Sequence, residues 1–172
     1  MIFATESRNA AMHLQERKNG SSVGMAPPAS PAPTPRDSAL DLLARYYAAF
    51  NAGQHADLLA LLTADVVHNI NQSNSESGLS AFQVFLKRMD RCYSEQIHDL
   101  VLFANDTGTR AAAEFTVHGR YLQTDQGLPE ASGQTYTLPA GCFFTLKDHK
   151  ISSVTLYYNL QNWLHQIGSA PA

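Results

Sequence analysis

Apolar residues recur at helical spacing at Leu40, Leu43, Tyr46, Tyr47 and Phe50, and Gly53 supplies a stop. Ser38 followed by Asp41 resembles a capping box, so a first helix is expected from about Ser38. A second, short helix is expected from about His55, with Leu58, Leu59, Leu61 and Leu62 apolar and Asp65 at its end. Val66, Val67 and Ile70 then predict a strand that runs into a polar loop, Asn69 to Ser77. From Gly78 the helical period returns through Ala81, Phe82, Phe85, Met89 and Cys92, with Lys87, Arg88, Asp90 and Arg91 on the wet face.

After Tyr93 the period changes. Ile97 to Ala104, Ala111 to Tyr121, Thr135 to Leu146 and Ile151 to Leu160 are rich in β-branched and aromatic residues, and NDTG, TDQGLPEASG and KDH between them are turn chemistry. Four consecutive strands imply an antiparallel meander. Phe115, Val117 and Tyr121 share one parity, as do Tyr136, Leu138, Cys142, Phe144 and Leu146, so each strand offers an apolar face to the helices. Glu114 and His118 take the opposite parity and are expected on the outside. A last amphipathic segment, NLQNWLHQI, closes one end with Trp163. Helices first and strands afterwards make a segregated α+β fold.

Five of the eight prolines fall between Pro27 and Pro35, and the residues before them lack a sustained apolar face. Residues 1–36 therefore read as a disordered tail rich in Pro, Ala and Ser, with Met25 as an alternative start, and residues 37–168 as one domain. The 172 residues are enough for one sizeable core. A formal net charge of −3 with scattered Lys and Arg argues against nucleic acid as a partner. No apolar run approaches the ~20 residues that span a bilayer, and Glu6 and Arg8 interrupt the place a signal peptide would need. A cytoplasmic protein without membrane contact is expected. Cys92 and Cys142 stand far apart without metal-ligand spacing, and the chain carries no phosphate-binding glycine loop, so no cofactor is expected.

The segments RYYAAFNAG (Arg45 to Gly53), AEFTVHGRY (Ala113 to Tyr121) and KISSVTLYY (Lys150 to Tyr158) resemble bacterial ketosteroid isomerases. HNINQ, MDRCY, LPAGCFF and YYNLQNW are similar to a group called ketosteroid isomerase-related, of the nuclear-transport-factor-2-like (NTF2-like), or SnoaL-like, superfamily. The resemblance covers about Leu40 to Trp163. It implies a cone-shaped fold with three helices packed on a curved, mostly antiparallel sheet, a small hydrophobic ligand, and a homodimer formed through the sheet. Ketosteroid isomerase uses an Asp base with a Tyr and a protonated Asp as oxyanion hole. The resemblance places the catalytic tyrosine on Tyr46, the base on Ile70 or Asn69, and the buried Asp on Cys142 or Gly141. Two of the three functions are thus missing.

His68 is the titratable side chain near the lost base, and strand alternation turns it inward with Val66 and Ile70. It reads either as a general base working with Tyr46 as donor or as a histidine of the core. Asn69, Asn71 and Gln72 would orient a ligand at the cone mouth or simply solvate a loop. The resemblance adds Phe115, Val117, Tyr121, Cys142, Phe144 and Tyr158 as pocket wall. Three readings follow: a cofactor-independent isomerase, dehydratase or cyclase acting by proton transfer on a hydrophobic carbonyl compound; a non-catalytic binder of such a compound; and a dimeric interaction module.

Overall fold

The computed structural model describes residues 32–70 and 75–168. The first helix, α1 (Pro35–Asn51), starts earlier than the expected Ser38 because Thr34 is its cap. The Thr34 hydroxyl oxygen accepts from the Asp37 amide at 3.1 Å, and the Asp37 carboxylate accepts from the Thr34 amide at 3.1 Å. The Thr34 hydroxyl also donates to the Asp37 carboxylate at 2.8 Å, and this bond, with that from the Thr34 amide, favours the charged form and holds Asp37 below its usual range. Pro35 occupies the first turn, where a missing amide hydrogen costs nothing. The same proline chemistry that reads as tail therefore opens a helix here. Asp41, the expected capping acid, instead accepts from Arg45 one turn on at 2.9 Å.

The other helices and strands are α2 (His55–Ala60), β1 (Leu62–Ile70), β2 (Ser75–Ser77), α3 (Leu79–Cys92), β3 (Tyr93–Ala104), β4 (Arg110–Tyr121), β5 (Thr135–Lys147), β6 (Lys150–Tyr158) and α4 (Leu160–Gly168); all follow in the expected order except β2, a short strand paired with β1 inside the segment expected as a polar loop. Three boundaries move, the first being the end of α2, at Ala60 rather than Asp65. β1 begins at Leu62 rather than near Val66, because Leu62 pairs with Ile151 before an irregularity resets the register at Val67 and Ser153. β3 begins at Tyr93 rather than Ile97, because Tyr93 pairs with Tyr121 at the far end of β4. That extension brings Tyr93 and Glu95 onto the sheet.

The sheet order is β2-β1-β6-β5-β4-β3. β3 to β6 form the antiparallel meander, and β1 adds to it in parallel beside β6. The alternation on β4 and β5 holds: Phe115, Val117, Tyr121, Tyr136, Leu138, Cys142, Phe144 and Leu146 are buried, while Glu114 and His118 are exposed. Leu42, Leu43, Tyr46 and Tyr47 of α1 are buried in the same core. Tyr47 meets Phe115 with centroids 5.3 Å apart, and Tyr46 meets Phe144 edge-on at 5.8 Å. Asn51, ending α1, donates to the Ile97 carbonyl at 2.9 Å and accepts from the Ile97 amide at 2.8 Å, which pins the helix to β3. Gln134 donates to the Ile167 carbonyl at 2.7 Å and thereby ties α4 to the start of β5. One half of the sheet is thus sealed by α1, and the other half is left with space under α3 and α4.

Candidate functional site

That space is a cavity of about 360 Å³. Its walls are largely apolar, with Phe85 and Met89 from α3, Leu138 and Ala140 from β5, and Leu160 and Trp163 from α4. Cavities of this size and character suit small organic ligands. A few polar groups interrupt the walls, and each is placed by a specific contact.

His68 reaches the cavity from β1. It is 4% exposed, and its ring lies between Phe82 and Phe85 at centroid distances of 4.7 and 4.5 Å. Its Nδ1 atom has no hydrogen-bond partner. Burial, with a smaller contribution from the Arg88 cation, pushes the imidazole down to about 4, so the ring is neutral at pH 7.

Elsewhere on the cavity lining, Tyr93 donates to the Asp125 carboxylate at 2.8 Å, and Arg88 Nε stands 3.7 Å from the same oxygen. Tyr121 lies beneath them, stacked on Tyr93 at 5.4 Å, and its hydroxyl accepts from the Asp125 amide and donates to the Pro129 carbonyl. The segment expected as plain turn chemistry is therefore a built wall. Arg88, expected on the wet face of α3, lies over the Phe85 ring with its charge toward the cavity rim. Glu95 of β3 also lines the cavity and accepts a hydrogen bond from the Tyr136 hydroxyl. Burial pushes its carboxyl above the usual range, against the opposing effect of that bond.

Of the residues singled out from the sequence, His68, Val117 and Tyr158 line this cavity. Tyr46 does not: it is buried among Tyr47 and Phe144, and burial pushes its hydroxyl far above the usual range. Phe115, Cys142 and Phe144 belong to the same sealed half, and burial raises the Cys142 thiol to about 12. Tyr46 and His68 therefore share no wall of this cavity. Tyr121 backs the wall without lining it. Asn69 has the outward parity of β1, where it donates to the Thr155 hydroxyl at 2.9 Å. Asn71 and Gln72 lie outside the described residues. Arg88, Glu95 and Asp125 escaped the sequence reading, since a charged residue at a helix or loop position reads as solvated until something packs on it, and Tyr93 escaped it because the expected strand starts only at Ile97. Starting β3 at Tyr93 would have exposed one signal, the inward parity of Tyr93, Glu95 and Ile97.

Among the described residues, no group of three or more His, Cys, Asp or Glu side chains could hold a metal ion, and no helix is long and apolar enough to cross a membrane. Residues 43–154 match the SnoaL-like domain family. The chain belongs to that family. This SnoaL-like domain is 53% identical to a "putative polyketide cyclase" of Pseudomonas putida, with 75% of this chain and 97% of the other covered and a TM-score of 0.74. It is 51% identical to a protein of the same description from Xanthomonas campestris, over 78% and 99% of the two chains, with a TM-score of 0.76. An NTF2-like protein of Burkholderia xenovorans is 16% identical over 77% and 97%, with a TM-score of 0.63, a likeness of fold alone. The SnoaL-like domain thus has the cone-shaped NTF2-like architecture. No curated protein matches the chain at a significant level.

Proposed function

We propose that this SnoaL-like domain binds a small hydrophobic carbonyl compound and, without a cofactor, moves a proton on the carbon beside the carbonyl, with His68 as the base. The observation that carries this reading is a neutral imidazole on the wall of an otherwise apolar cavity of about 360 Å³. Removing a carbon-bound proton needs a base held against the substrate, and a neutral imidazole in a dry site can accept one. The apolar surroundings and Arg88 make the resulting imidazolium costly, so the proton is handed on rather than stored. The name shared by the two close relatives points to the same class of substrate. Tyr46, the donor expected with His68, is left to the core.

The low basicity of His68 also favours a second reading, in which the domain holds such a compound without turning it over. One experiment separates the two. Trp163 is the sole tryptophan of the chain and lines the cavity, so its emission reports occupancy. Titration with the bicyclic ketone 2-tetralone should quench it, and NMR in D2O should show the protein accelerating exchange of the ketone's α-protons. In the catalytic reading His68→Gln abolishes the exchange and keeps the quenching. Quenching without exchange leaves a binder, and no quenching refutes both.

The outer face of the sheet supports assembly as a homodimer. Phe103, Phe143 and Tyr157 are exposed there, Phe143 at 58%, and the Phe143 and Tyr157 rings meet at 5.7 Å. Exposed aromatic patches of this kind mark interaction surfaces. Sedimentation of Phe143→Asp should give a monomer where the unaltered chain gives a dimer; a dimer in both would place the interface elsewhere.

A further inference from the structure

Glu95 lines two cavities. Besides the one with His68, it borders a second of about 390 Å³ between the end of α1, α3 and the start of β3, and Met89 and Tyr93 are likewise shared by both. Among the described residues it enters no ion pair, and its hydrogen bond comes from the Tyr136 hydroxyl. That bond depends on an unusual crossing. Glu95 pairs with Gly119 on β4, and Gly119 pairs with Tyr136 on β5, so the three stand in one row across the sheet. A Cβ on Gly119 would stand inside the Tyr136 ring. The missing side chain lets Tyr136 lie across β4 and reach the carboxyl two strands away. A carboxyl placed at the edge of a ligand cavity, held by a neutral donor and no cation, is arranged for a hydrogen bond rather than an ion pair.

We propose that Glu95 is the site that binds the ligand's oxygen: one carboxyl oxygen is held by Tyr136, and the other, protonated, donates to a neutral carbonyl. The cavity would then select ketones over carboxylates of the same shape, because an anion gives up far more hydration on entering apolar walls than one neutral donor returns. This rests on the reading of the cavity as a carbonyl site and names the group that recognises the oxygen. In the proton transfer, His68 takes the α-proton, the C–H electron pair becomes the C=C bond, and the carbonyl π pair moves to oxygen, which takes the Glu95 proton to give an enol. Return of both protons regenerates the neutral pair. Tyr136 and Gly119 are positioning residues, since they touch Glu95 and not the ligand.

Burial keeps the carboxyl protonated above the usual carboxylate range. The other ionisable groups around it are the hydroxyls of Tyr93, Tyr136 and Tyr158, pushed up by burial, and His68, pushed down. Arg88 and Asp125 pair at 3.7 Å on the wall of the first cavity, and His55 and Asp90 stand 3.3 Å apart beside the second. A glutamine at Glu95 leaves all of these in place and removes the titration.

The test uses the full chain and follows Trp163 emission with three probes of one shape: 2-tetralone, the hydrocarbon tetralin, and tetralin-2-carboxylate. In the unaltered protein 2-tetralone should bind more tightly than the other two at the acid end of the protein's stable range, and its advantage should fade as pH rises through the Glu95 titration. Glu95→Gln retains a donor and should keep the advantage at every pH. Glu95→Leu should lose it by about tenfold while tetralin binds as before. Tyr136→Phe removes a bond that favours the charged carboxylate, so the fading should move to higher pH; a merely structural tyrosine would leave the midpoint alone. Equal binding of 2-tetralone and tetralin, or an advantage that survives in Glu95→Leu, overturns the assignment and leaves the cavity reading standing. Failure of every probe to bind overturns both.

Discussion

Replacing His68 with glutamine should flatten the acid limb of the domain's stability profile. In the unfolded chain the imidazole titrates near 6.5, and in the fold burial pushes it down to about 4. Between these values the unfolded state holds a proton that the folded state refuses, so stability is present above about pH 6.5 and is lost as pH falls toward 4. At about 1.36 kcal/mol per pH unit, the whole fall is worth about 3 kcal/mol, and about 2 kcal/mol of it should appear between about pH 7 and about pH 5. Glu95 acts with the opposite sign, because its raised pKa stabilises the fold at low pH and that contribution is lost as pH rises through its titration. The measurement is therefore a difference: urea unfolding of the unaltered chain and of His68→Gln at both pH values and one protein concentration. The glutamine loses ring contacts with Phe82 and Phe85 at every pH, which is an offset and not a slope. Equal pH slopes in the two proteins would refute the buried, neutral His68.

Gly119→Ala should cost on the order of 1–3 kcal/mol in the same urea assay, because the added methyl collides with the Tyr136 ring; an unchanged midpoint would mean that Tyr136 does not cross β4. A chain beginning at Ala32 keeps the Thr34 cap and one beginning at Asp37 loses it, so the shorter should be weaker by about 1 kcal/mol, and equal stabilities would discount the capping box. Isomerisation of a Δ5-3-ketosteroid should be weak, since Ile70 stands on the cavity wall where that chemistry places its base and Cys142 is buried in the sealed half. Each lost group typically costs on the order of 100-fold, and efficient conversion would show that His68, despite its low basicity, and Glu95 make good the loss for a steroid too.

The order of helices and strands was legible in the sequence because it rests on local periodicity. Leu40 to Phe50 repeat at helical spacing, and Phe115 to Tyr121 and Tyr136 to Leu146 alternate, whatever they pack against. The inward set on β4 and β5 and the outward turn of Glu114 and His118 follow from the same alternation. Tertiary structure decided which inward residues meet a ligand and which meet only one another. Phe115 and Phe144 share the apolar parity with Val117 and Leu138, yet Tyr46 and Tyr47 of α1 close over the first pair and leave the second open. Periodicity reports that a side chain leaves water, and it is silent on whether a helix or a void takes the water's place. The polar half of the site was hidden for a related reason. Arg88, Glu95 and Asp125 lie on three separate elements and read singly as solvated charges. Only pairing β3 from Tyr93, the gap over Gly119 and the fold of the segment after Tyr121 bring them to one cavity, where low-dielectric surroundings change what each can do.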